Sequence, residues 1–507
     1  MARVFAHAAA SFEPTANSVL LWTRLSRGER SAEWELAADP DIARVIASGR
    51  VTTSPEVDFT VTVDVGGLDP ATTYWYRFRA GGEESPVGRT KTLPAAGAES
   101  FRLATVSCAR YSVAPLGVYR ALAERDVDLV LHLGDYIYED DGSKGPRTHE
   151  PPHEAVTLDD YRRRLAQVRA DPDAQTLHLR HPMVTIWDDH DLADNAWTHG
   201  AKHHDPDVHG PWRDRLLAAA TARQEWVPSR LTNPHDVLKV WRSMSIGDLA
   251  EVVLLDTRVA GRDRHAGDEG ARPLEDPQRS LLGDEQRTWL CEQLQLASQP
   301  WLILASGVVM NDLQLPWPRL LRKIGRWLPN GYAASGSCLL RDDQWDGYPA
   351  ERRRVVSWMA DRHASGRRTV VLSGDVHSSW AFEGPCSEDG TPVAVELTAP
   401  AVSSAAMGRA PVTGRLLDRA VKKLPYVKWA EVTHRGYCVV DVDLDAVTTS
   451  WWFVDPFDED PAGNERFGAA FRVERSATPP ELEKATSLGS LLAWQSSSSS
   501  SGAAPQA

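Results

Sequence analysis

Four short apolar runs in this chain each break off at side chains able to bind a metal. They are Leu103-Ala-Thr-Val-Ser-Cys108, Leu129-Val-Leu-His-Leu-Gly-Asp135 (continuing to Tyr138), Val184-Thr-Ile-Trp-Asp-Asp-His190 and Val370-Val-Leu-Ser-Gly-Asp-Val-His377. A short run of apolar and β-branched residues reads as a strand buried on both faces, as in parallel sheets. Parallel strands gather their carboxyl ends along one edge, where open α/β sheets bind ligands. A thiol, several carboxylates, a phenol and two imidazoles then converge on one place. The pattern predicts a metal site with ligands enough for two ions.

Between residues 100 and 475 the same kind of run recurs near 252–256, 301–305, 393–398 and 437–444. Helical patterns alternate with these strands near 114–124, 158–168, 211–227, 284–296 and 349–363, with Thr157 and Pro349 as start signals. Alternation of this kind builds a layered α/β unit with one large sheet or a pair of sheets. Residues 1–95 differ. Val19-Leu-Leu-Trp-Thr, Phe59-Thr-Val-Thr-Val-Asp-Val and Tyr74-Trp-Tyr-Arg-Phe-Arg predict a small all-β sandwich of fibronectin or immunoglobulin type. Within it, 68–74 has the pattern of a corner in which a tyrosine ties down a turn. Leu93-Pro-Ala-Ala-Gly-Ala-Glu99 reads as a linker, and 476–507, ending in a serine run, as a disordered tail.

A net charge of −14 excludes general nucleic-acid binding, which needs a basic face. Five scattered cysteines without a CxxC pair fit neither a disulfide framework nor a zinc finger. No run is long enough to span a membrane, and no leader is visible, so the sequence reads as cytoplasmic. A start upstream of Met1 would make it an exported protein. The segment 316–329 carries Arg319, Arg322, Lys323 and Arg326 among apolar residues and reads as a solvated basic helix face, with a lid over an anionic substrate as the alternative.

Each candidate has a plain structural reading beside the chemical one. Asp135 follows Gly134 at a strand end, where a carboxylate can bridge two cations or simply cap a turn. Tyr138 can bend back to the same metal, and phenolate is a hard anionic ligand that favours a trivalent ion. Asp188-Asp189-His190-Asp191 crowds acids at a strand end, which a nearby cation would relieve; otherwise they would form a helix cap. Asp189 is the expected ligand, with His190 placed to protonate a leaving group. Asp188, Asp194 and Asn195 are candidates for a further oxygen-rich site. Asp375 and His377, one residue apart, can point the same way from an extended segment. Cys108 alone would read as a small core residue, but its strand-end position marks it as a ligand. Arg110 and Arg258 are candidates for facing an anionic substrate. His132 reads as a core group. His199, His203, His204 and His209 sit in a Gly/Pro/Asp loop and are expected to be exposed.

In order, Ser107-Cys108, His132-Leu-Gly-Asp-Tyr-Ile-Tyr-Glu139, Trp187-Asp-Asp-His190, Leu255-Asp-Thr-Arg258 and Ser373-Gly-Asp-Val-His377 resemble the alkaline phosphatase D (PhoD) family of calcineurin-like metallophosphoesterases. The resemblance extends over about residues 4–475. It implies an αβ-sandwich of two stacked sheets flanked by helices, preceded by the β-sandwich domain. It also implies hydrolysis of phosphate mono- and diesters, with iron and calcium as cofactors and small phosphate esters as substrates. Carried across, Cys108, Asp135, Tyr138 and His377 hold the iron. Asp135 bridges to a second metal, calcium or another divalent ion, completed by Asp189 and Asp375. The chain departs from the family in lacking a twin-arginine leader, in Asp191 where glutamate is usual, and in Asp194-Asn195 where an asparagine pair is usual. Two rival readings are a single-metal hydrolase of non-phosphate esters and a binding protein with a structural or degenerate metal site.

Overall fold

The computed structural model describes residues 3–26, 28–143, 145–313, 343–406, 424 and 426–500. Strands Ser100–Val106, Leu129–Leu133 and Met183–Ile186 run parallel, with Leu131 opposite Thr105 on one side and Val184 on the other. They lie in the middle of a ten-stranded sheet. A second sheet, of seven strands, has Ala250–Leu254, Trp301–Ser306, Arg368–Ser373 and Val395–Thr398 as its parallel centre. The two sheets stack. Leu129, Leu131 and Leu133 meet Val252, Leu254, Ile303, Val370 and Leu372 in the core between them.

Alternate residues of the same strands face outward. Val130 joins a second core with helices Gly117–Ala123, Leu158–Ala170 and Trp212–Trp226. Val253, Leu302, Leu304 and Val371 pack under helices Gly283–Leu296 and Pro349–Ala364. Burial on both faces is why these runs are apolar throughout instead of alternating. Helix Leu158–Ala170 opens on the Thr157 hydroxyl, which accepts the Asp160 N–H, while the Asp160 carboxylate accepts the Thr157 N–H. A helix that the periodicity did not separate, Pro172–Arg180, starts on an Asp171 cap with proline in its first turn.

The N-terminal residues form two layers, but one of them is not separate from the ten-stranded sheet. Strands Ala9–Phe12, Ser18–Arg24 and Thr60–Gly66 prolong the ten-stranded sheet, through Phe12 set parallel to Met183. The five-stranded sheet containing Ser31–Ala37, Val45–Thr52 and Thr73–Ala80 packs against them around Val19, Leu21, Leu36, Tyr76 and Phe78. The tyrosine corner is present: the Asp69 N–H donates to the Tyr74 hydroxyl at 2.9 Å.

The expectation of a disordered tail from 476 does not hold over 482–495. Strand Leu482–Lys484 pairs with the sheet at Phe471–Val473, and helix Leu488–Ser500 buries Leu491 beside Ala470 and Ala485. Leucines and a tryptophan supply an apolar face there that the serine run conceals. The basic stretch 316–329 lies outside the described residues. No helix among the described residues is long and apolar enough to cross a membrane.

Candidate metal centre

The carboxyl ends of both sheets meet at one seam, where Ser107 bridges to Ala401 as an isolated parallel pair. Past the strand ends the chain turns sharply. Cys108, Asp135, Asp375 and His377 all have left-handed backbone, with φ of 59°, 56°, 61° and 51°. Such residues cost on the order of 1–3 kcal/mol each and persist where the surroundings over-determine them, most often at functional sites. Gly134 precedes Asp135 with φ 101°, and a Cβ there would stand 2.5 Å from the Asp188 Cβ. Glycine is required for the two loops to approach so closely.

Asp191 holds those loops together. Its carboxylate accepts the backbone N–H groups of Asp135 at 2.8 Å, Tyr136 at 2.9 Å, Ile137 at 3.2 Å and Asp188 at 2.9 Å. On this scaffold the expected ligands converge. Donor atoms of Cys108, Asp135 and His377 lie within 4.8 Å of one another, as do those of Asp135, Asp188, Asp189 and Asp375. A third group joins Asp135 and Asp189 to His190, and Asp135 belongs to all three. The Tyr138 hydroxyl donates to Asp135 Oδ2 at 2.7 Å and lies 3.3 Å from His377 Nε2. The thiol, carboxylate, phenol and imidazole therefore share one corner, and the carboxylates another.

This arrangement fits bound cations. Asp135 is fully buried, and burial pushes its carboxyl well above the usual range; Asp189, Asp188 and Asp191 add to the rise against the pull of His190. Asp189 Oδ2 accepts the Asn195 N–H at 2.7 Å, while its Oδ1 is buried with no hydrogen bond, facing the Arg258 guanidinium at 3.3 Å. Carboxylates packed in this way need positive charge between them to remain ionised.

Arg258 supplies some of that charge. It has no exposed surface, binds both oxygens of Asp188 and lies 3.3 Å from Asp189 and 3.9 Å from Asp375. Asp256 accepts its backbone N–H at 2.8 Å and the Trp187 indole N–H at 2.9 Å. The structure thus sets Arg258 among the carboxylates, without a surface open to substrate. Arg110 is half-buried, paired with Asp140 and 5.0 Å from the Tyr138 ring centre.

His190 lies against Tyr138 with ring centres 4.2 Å apart and planes tilted by 32°, and its backbone N–H donates to Asp135 Oδ1 at 3.2 Å. Its Nδ1 lies 2.7 Å from Glu139 Oε2, and Glu139 Oε1 accepts the Asp194 N–H at 2.6 Å. Burial works against a charge on this ring, but Glu139, Asp189 and Asp135 overcome it and hold the imidazole pKa well above its ordinary value.

Asp194 does not join the carboxylates: its side chain pairs with Lys202 at 3.3 Å and His203 at 3.5 Å. His132 lies in the core, 2.8 Å from the Tyr119 hydroxyl. His203 is exposed, whereas His204 packs against His209 and Trp212, with ring centres 5.6 and 5.2 Å away. The sequence reading missed Gln344, whose amide donates to Asp375, and the roles of Glu139 and of the seam around Ser404. For Glu139 a signal existed, an acid next to the strand-end Tyr138; for the other two there was none.

The chain matches the family model described as PhoD-like phosphatase over residues 103–451, and that of its N-terminal domain over residues 1–94. It is 32% identical to alkaline phosphatase D of Bacillus subtilis (strain 168), in a match covering 92% of this chain and 80% of that protein. It is also similar to a solved structure titled "Structure of PhoD", with a TM-score of 0.81 and 30% identity, covering 95% of this chain and 92% of that one.

Proposed function

This chain belongs to the PhoD-like phosphatase family, whose chemistry is metal-dependent hydrolysis of phosphate esters, and we propose which of its residues perform each part. Cys108, Asp135, Tyr138 and His377 hold iron, because thiolate and phenolate together suit a trivalent ion. Asp135, Asp189 and Asp375 hold calcium or another divalent ion that prefers oxygen ligands. The observation that carries this reading is the presence of Asp135 in both ligand groups. The substrate is a small phosphate ester, mono- or diester. In function the chain is read as an N-terminal unit over 1–95, three of whose strands continue the ten-stranded sheet, and a catalytic unit over 100–475.

When bound, the metal pair neutralises the phosphoryl oxygens and activates water as the nucleophile. The protein's own groups do the rest. Glu139 takes the hydrogen bond from His190 Nδ1, which leaves Nε2 to pass a proton to the departing alkoxide. Among the described residues, Arg110, partly exposed beside the Tyr138 ring, is a cation placed to meet the substrate's charge. Arg258 holds Asp188 and lies within ion-pair distance of Asp189 and Asp375, so its part is organisation of the site.

The test is to measure metal content and the visible spectrum of the purified protein before any ion is added. Turnover is then followed on p-nitrophenyl phosphate, bis-p-nitrophenyl phosphate and a panel of carboxylic esters. Iron with a second metal, a charge-transfer band and turnover of phosphoesters are expected. A single zinc, or turnover of carboxylic esters alone, would overturn the assignment.

A further inference from the structure

The segment 401–405, Ala-Val-Ser-Ser-Ala, contains no metal-type side chain, yet it touches three of the four residues assigned to iron. The N–H groups of Ser403 and Ser404 both donate to the Cys108 carbonyl, at 3.3 and 3.1 Å. His377 Nδ1 lies 3.1 Å from the Ala405 carbonyl, which can only accept, so that nitrogen carries the proton and Nε2 keeps its lone pair. The Ser404 hydroxyl donates to the Tyr138 oxygen at 2.7 Å. Arg435 fixes the segment from the other side, its Nε donating to the Ser403 and Ser404 carbonyls at 3.0 and 2.9 Å. Ser404 is fully buried, so water does not compete for its hydroxyl.

We propose that Ser404 is a positioning residue of the first metal site: its hydroxyl bond sets both the direction of the Tyr138 oxygen and its strength as a donor to the metal. The proposal rests on the assignment of Tyr138 to iron. A hydrogen bond to an anionic oxygen is stronger than a neutral one. It draws electron density from the phenolate and raises the energy needed to move an electron from it to iron. Outer contacts of this kind orient and tune ligands without touching the metal.

The visible spectrum of the holoenzyme as purified tests this. Tyr138→Phe removes the phenolate part of the charge-transfer absorption and leaves the part due to the Cys108 thiolate, which checks the underlying assignment. Ser404→Ala keeps iron and moves the band to longer wavelength, because the phenolate becomes the better donor. Ser404→Cys, which nearly keeps the volume and offers a weaker donor, moves it the same way by less, and serves alone if the alanine variant does not fold. A band at the wild-type wavelength in a folded, iron-loaded Ser404 variant overturns the role of Ser404 and leaves Tyr138 as a ligand. A band absent from wild type, or untouched by Tyr138→Phe, overturns both.

Discussion

Glu139 Oε2 lies 2.7 Å from His190 Nδ1, although 51 positions separate the two residues in the chain. The contact spans the ends of two adjacent parallel strands, and both partners are held by backbone bonds to neighbouring loops: His190 N–H to Asp135, Asp194 N–H to Glu139. A histidine placed in this way keeps one tautomer and one orientation.

Glu139→Gln tests that arrangement. The amide keeps the shape and loses the charge that raises the His190 pKa. We expect kcat on p-nitrophenyl phosphate to fall by about 10²-fold with KM little changed, a typical share for general acid catalysis. The alkaline limb of the pH–rate profile moves to lower pH, because His190 gives up its proton sooner. An unchanged profile would show that Glu139 does not act through His190.

Asp135→Asn asks whether one carboxylate serves both metals. Asparagine presents a single neutral oxygen and a donor NH2, so it cannot bridge two cations. Both metals should be lost together on dialysis, with turnover falling to background. Loss of one metal with the other retained at full content would place the bridge elsewhere.

Much of this centre was legible because parallel strands buried on both faces leave apolar runs that stop where the loops begin. Cys108, Asp135, Asp189, Asp375 and His377 stand at such stops, and the structure brings their donor atoms together. What holds them was not legible. Asp191 acts through four backbone N–H groups, and backbone groups are the same in every sequence. Ser404 belongs to a run of small residues that carries no periodic or chemical signal. The junction of Phe12 with Met183 is a single long-range pairing, so nothing local in the sequence announces that an N-terminal layer continues the catalytic sheet. Helix Leu488–Ser500 was hidden by its serines, while Leu491 does the packing.

Arg258→Met removes the buried cation that binds Asp188, and leaves that carboxylate without this charged partner. Breaking a buried pair from one side costs about 3–5 kcal/mol. Urea unfolding of the metal-free protein should report a loss of that order. The double variant Asp188→Asn, Arg258→Met should recover part of it. Full stability in the single variant would mean that Asp188 is protonated in the metal-free fold and that the pair contributes little.

Acid should loosen the fold through histidines that it keeps neutral. Burial lowers the pKa of His149 and His181 to about 4, with Arg164 and Arg89 adding to the effect, and burial lowers that of His132 to about 3. His149 Nε2 accepts the Ser112 N–H at 3.2 Å, a bond that protonation would abolish. Below the unfolded value of about 6.5, the unfolded chain binds protons that the folded chain refuses. The contribution of these histidines is therefore complete above pH 6.5 and falls as the pH drops toward 4, by about 1.4 kcal/mol per pH unit for each such group. Burial raises the carboxyl pKa of Asp346 to about 8 and that of Asp188 in the same direction, and these groups gain stability over the same range. The histidine share is therefore read by comparing the drop in the urea-unfolding midpoint from pH 7 to pH 5 between chelated wild type and variant. In a His181→Gln variant the drop should be smaller, since one of the titrating groups is gone. Equal drops in variant and wild type would mean that His181 takes up its proton within the fold, and that the acid sensitivity comes from other groups.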